Sequence, residues 1–153
     1  MSSFNEGKEI LVTMVLEILG RPKEHIVETL KEIIKQMGEE KGVKVQDSIV
    51  NEPVLVKDQK DLYTTFSEVE MKIEDIRTLL GIIFKYMPAH LEIIYPESIK
   101  LDNVSLGETL SELIRRLHAY DEVARVLQNE NFIMREKLKE FIDEKKNKKE
   151  EKK

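Results

Sequence analysis

The chain is expected to fold as an α+β head followed by one long helix. Three observations predict this. Four segments alternate apolar and polar residues at period two, the mark of half-buried strands. Two segments between them repeat apolar residues at helical spacing. From Leu106 to Phe141, apolar residues recur at alternating steps of four and three, a coiled-coil repeat.

Residues 10–18 fit either a strand or a helical stripe. Strand is preferred because Ile10, Val12, Met14, Leu16 and Ile18 form one uniformly apolar face, opposite a mixed face of Leu11, Thr13, Val15 and Glu17. Gly20-Arg21-Pro22 breaks the segment, and Pro22 suits the first turn of a helix. Ile26, Leu30, Ile33, Ile34 and Met37 carry that helix to Gly38, a natural residue to follow a helix end. Val43, Val45 and Ile49 suggest a second strand. NEPVLVKDQKD, 51–61, reads as a connecting loop. Tyr63–Ile73 alternates as a third strand. Ile76, Leu79, Leu80, Ile83, Phe84 and Met87 mark a second helix ended by Pro88. Leu91, Ile93 and Tyr95 alternate in a fourth strand ended by Pro96. The order β-α-β-β-α-β is that of the ferredoxin-like fold. It predicts an antiparallel sheet over residues 1–101, both helices on one face, and the first and third strands in the middle.

Ser105 followed by Glu108 is a capping-box pattern, and it predicts a helix over 105–145. With Leu110 at heptad position a, the a residues are Leu110, Leu117, Ala124, Asn131 and Leu138. The d residues are Leu106, Leu113, Tyr120, Leu127, Met134 and Phe141. A lone Asn at a specifies a parallel two-stranded register at a cost in stability. In that register Arg116 of one copy meets Asp121 of the other, and Glu130 meets Arg135, both pairs opposite in sign. Leu at a does not itself select a dimer, and Ile114, Val123, Val126 and Ile133 widen the apolar stripe. Antiparallel pairing and packing back on the sheet are the alternatives. The chain ends in DEKKNKKEEKK, and residues 146–153 are expected to be a disordered, lysine-rich tail.

Composition bounds the function. The 153 residues are 41% apolar and 36% charged, enough for one modest domain plus an extension. The Lys/Glu excess suits either a long solvated helix or the surface ion-pair networks of hyperthermophiles. A net charge of −5 gives no overall attraction to nucleic acid or anionic lipid. No cysteine is present, which excludes disulfides, thiol catalysis and Cys-ligated zinc. MSSFNEGKE lacks the pattern of a signal peptide, and ILVTMVLEIL is too short to span a bilayer, so a cytoplasmic protein is expected.

The sheet face away from the helices is expected to carry Leu11, Thr13, Val15, Glu17, Thr64, Phe66, Glu68, Glu70, Glu92 and Ile94. An RNA-reading sheet needs several aromatics with Arg or Lys beside them. This face has the single aromatic Phe66 among carboxylates, so a protein contact through Leu11, Val15, Phe66 and Ile94 is favoured over nucleic acid. Glu17, His90 and Glu92 could begin a divalent-metal site, but no spaced His/Asp signature supports one. His25 lies in a first helical turn, and His118 pairs on the surface with Glu122 one turn on. No GxSxG, P-loop or HExxH pattern occurs. Neither a cofactor nor a catalytic residue is predicted.

ILGRPKEH (18–25), YMPAHLEIIYPE (86–97) and RRLHAYD (115–121) together resemble small uncharacterised archaeal proteins. That resemblance implies an archaeal, cytoplasmic origin and assigns no functional residue. LLGIIFKYMPAHLEIIYP is similar to the ferredoxin-like extension of WYL-type transcriptional regulators, although the WYL barrel and a DNA-binding helix-turn-helix are missing. The expected function is a non-enzymatic interaction module: a coiled-coil homodimer displaying two α+β heads. A small-molecule-sensing regulatory domain, or a ribosome- or RNA-associated factor using the lysine tail, is the alternative.

Overall fold

The computed structural model describes residues 9–150, with side chains through Lys145. Its described residues divide into two compact units that meet between Leu110 and Ser111. The boundary falls inside the last helix.

The first unit is mixed α+β. In chain order its elements are β1 (Ile10–Gly20), α1 (Lys23–Glu39), β2 (Val43–Val50), β3 (Val54–Leu55), β4 (Tyr63–Ile73), α2 (Ile76–Tyr86) and β5 (His90–Tyr95). The strands make one antiparallel sheet in the order β2-β4-β1-β5, with β3 paired to the end of β4. β1 and β4 are central, and their alternation explains why. Val12, Met14, Val69, Met71 and Ile73 are fully buried on one face, while Glu17, Glu68 and Glu70 stand exposed on the other. Leu30, Ile34 and Met37 of α1 and Leu79 and Ile82 of α2 join the same core, so both helices cover one face of the sheet.

Several details depart from the alternation read in the sequence. α1 does not stop at Gly38. It runs to Glu39, and the left-handed residue after it is Gly42, at φ 77°. Gly38 instead lies beside Val45, whose Cγ2 is 3.5 Å from where a Cβ would sit. The segment expected to be loop contains β3. The turn after it closes with Val56 N–H donating to Leu62 O at 2.8 Å, and its left-handed positions are Asp58 and Asp61, a residue type that tolerates them. In β2 the pairing with β4 shifts between Val45 and Asp47, leaving Gln46 as the extra residue. The shift reverses the faces: Val50 packs against the core and Ile49 is exposed. In α2 the apolar stripe centres on Leu79 and Ile82. Met87, expected at its end, is the exposed left-handed cap at φ 48°.

Helix ends are held by carboxylates. Asp75 opens α2 by accepting from Thr78 N–H at 2.7 Å. Just past the end of α1, Glu40 accepts from Tyr86 Oη at 2.8 Å and pairs with Lys85, tying α1 to α2. The Lys85 and Tyr86 hydrogen bonds hold the Glu40 carboxyl below its ordinary range, and burial with the Glu40 contact pushes the Tyr86 phenol up.

The last helix, α3, spans Asn103–Glu150 and begins earlier than the expected capping box. Asp102 caps it: its carboxylate accepts from Ser105 N–H at 2.7 Å, and its carbonyl accepts from Leu106 N–H at 2.9 Å. That first hydrogen bond holds the Asp102 carboxyl below its ordinary value. Ser105 is therefore the residue whose N–H is capped. Glu108, expected to reach back to it, pairs with Arg77 of α2 at 3.0 Å. Helical backbone continues through 146–150, part of the stretch expected to be disordered, and 151–153 lie outside the described residues.

Candidate functional site

The 48 residues of α3 would extend about 70 Å at a rise of ~1.5 Å per residue. Nothing in its interior stops it, since it contains no proline and its one glycine, Gly107, lies in the second turn. All eleven residues of the apolar row fall on this continuous helix. Leu106 and Leu110 belong to the first unit, and Leu113 to Phe141 belong to the second. Leu113 is half-buried. Leu117, Tyr120, Leu127, Met134, Leu138 and Phe141 are 45–64% exposed, and Ala124 and Asn131 are exposed with them.

Isolated large apolar residues are common on surfaces, but a contiguous row of them marks an interaction site. The row also has a geometric property. A straight α-helix turns by about 20° per heptad relative to a 3.5-residue repeat. Over five heptads the row therefore drifts by about 100° around a straight helix, a drift that left-handed supercoiling removes.

Two of the four flanking charges, Arg116 and Asp121, are engaged along the helix. Arg116 Nε lies 2.8 Å from Glu112 Oε1, and Arg125 lies 2.8 Å from Asp121. Arg116 and Asp121 were expected to meet between copies, so forming that pair would exchange two exposed intrahelical pairs for one across the seam. Such exposed pairs contribute only a few tenths of a kcal/mol. Glu130 and Arg135 stand exposed at their g and e positions.

The head offers two other places. A cleft of about 630 Å³ lies between the start of β1, the first turn of α2, residues 96–102 and the first turns of α3. Its Asp75 and Asp102 carboxylates cap helices and its Arg77 pairs with Glu108, so these three polar groups have structural work. The second place is the open face of the sheet. Leu11, Val15 and Phe66 lie there as expected. Ile94 is the extra residue where the β1–β5 pairing shifts, and Tyr95 stands across from Leu11 in its place. Sequence alternation missed Tyr95 because a one-residue bulge reverses every side chain beyond it. Glu17 accepts from Thr64 Oγ1 at 3.1 Å, while His90 pairs with Val15 and Glu92 with Thr13. Among the described residues no cluster of three His, Asp or Glu side chains is placed to hold a metal, and no helix is long and apolar enough to cross a membrane.

Neither the curated proteins nor the solved structures contain a match to this chain. One family model does match it, over residues 11–151, from the second residue of β1 to beyond the end of α3. The head and the long helix thus fall within one family pattern, and the chain belongs to the MJ0538 family.

Proposed function

We propose that the chain is a non-enzymatic self-association module. Two copies pair through α3 as a parallel coiled coil, and each pair carries two α+β heads. The single observation behind this reading is the exposed four-three row on α3, with one amide, Asn131, at an a position. For the head, the order β2-β4-β1-β5 with both helices on one face supports a ferredoxin-like topology to which β3 is an addition. Light scattering on the full chain tests the pairing. A mass of twice 17.9 kDa is expected at micromolar concentration, and a single-chain mass would overturn it.

A second reading is a small-molecule-sensing regulatory domain. The cleft at the start of α3 favours it, because a ligand there would touch the root of the pairing helix.

A further inference from the structure

The open face of the sheet combines exposed apolar side chains with a strong excess of carboxylates. Strand pairing sets Glu68 beside Val15 and Ile49, Glu70 beside Thr13 and Asp47, and Phe66 beside Glu17. Glu92 flanks Thr13 from β5. Among the described strand residues this face holds five carboxylates, Glu17, Asp47, Glu68, Glu70 and Glu92, against Lys44 and Lys72. Lys72 is already engaged with Glu9 at 3.3 Å. The same face exposes Phe66 (43%) and Ile49 (57%) beside the acids, and Tyr95 (47%) beside Leu11 at the Lys72 end.

We propose that this face docks a basic amphipathic segment of another protein, most simply a helix with Lys or Arg on both sides of an apolar stripe. The apolar stripe would lie over Val15 and Phe66, and the cations would reach the carboxylates on either side. Charge complementarity selects this partner. A second copy of the same face would set carboxylates against carboxylates, and a phosphate-bearing ligand would meet the same repulsion. A small polyamine could use the acids but would leave Phe66 and Tyr95 idle. Strands of 11, 8, 11 and 6 residues, ~4.8 Å apart with ~3.3 Å per residue, offer about 570 Å², roughly two-thirds of one side of a standard protein interface.

The test uses the full chain and a fluorescent amphipathic Leu/Lys peptide of about 18 residues, followed by anisotropy at physiological salt. Saturable binding is expected. Reversing Glu68→Lys with Glu70→Lys should weaken it by at least about tenfold, the equivalent of losing one or two good charge contacts. Phe66→Ala should weaken it severalfold. Glu28→Lys with Glu32→Lys, exposed on α1, should leave it within about twofold, and a Leu/Glu peptide should not bind. The proposal fails if the wild-type chain does not bind the peptide. It fails equally if the α1 reversal weakens binding as much as the β4 reversal, since net charge alone would then explain it. An unaffected Phe66→Ala would leave simple ion exchange, and a change of mass in the β4 variant would make a second copy the occupant.

Discussion

The double substitution Leu117→Asp with Leu127→Asp is expected to convert the assembly into single chains. Both side chains are more than half exposed in the single chain, so neither contributes to the core of the head. In the proposed pair each sits in the seam, one at a and one at d. Two copies lose four Leu contacts, each worth about 1.5–3 kcal/mol when fully buried, and acquire four carboxylates that resist burial. A loss of at least about 6 kcal/mol raises the dissociation constant by about 10⁴-fold or more. The light-scattering mass should fall to one chain. Far-UV helicity should fall too, because a long helix with little tertiary support is marginal in water. The core around Leu30, Met71 and Ile73 is untouched, so the head should keep its cooperative unfolding. An unchanged mass would show that the exposed row is not the contact between copies.

Asn131→Leu should act in the opposite direction on stability. In a parallel pair the two amides meet across the seam and satisfy each other, at a cost relative to buried Leu. Replacing both is expected to stabilise the assembly by about 3 kcal/mol or more, from two newly buried Leu side chains. The melting temperature should rise by several degrees. Specificity should fall at the same time, because Leu at a does not choose between two strands and more. The variant should therefore give a spread of masses, or one above two chains, where the wild type gives one value. Unchanged melting and mass would place Asn131 facing solvent.

The helix was legible in the sequence because its period is regular and nothing interrupts it. Its start was not. Ser105 with Glu108 has the spacing of a capping box, but Asp102 lies three residues earlier and takes the capping role, leaving Glu108 to Arg77. The strands β1 and β4 were readable because one face is fully buried and the other carries glutamates. The edge strands were harder. Each has a register shift, at Gln46 in β2 and at Ile94 in β5, and a bulge is set by how a strand fits its neighbour. That is why Ile49 and Tyr95 sit on the open face and Val50 against the core. β3, two residues long, is too short to display a period and exists through its pairing with Tyr63 and Thr64. The acidic character of the open face could be read in advance, since Glu17, Glu68 and Glu70 alternate with buried residues; its second aromatic could not.

The most direct test of parallel, in-register pairing exploits the absence of cysteine from the chain. Two variants, Ala124→Cys and Leu138→Cys, are made separately and oxidised under mild conditions. Both positions are a residues, two heptads apart, and in a parallel pair each faces its own copy across the seam, near enough for a disulfide. Both variants should give covalent dimers in high yield. In an antiparallel pair at most one of these positions can meet itself, so crosslinking of only one, or of neither, would contradict the account.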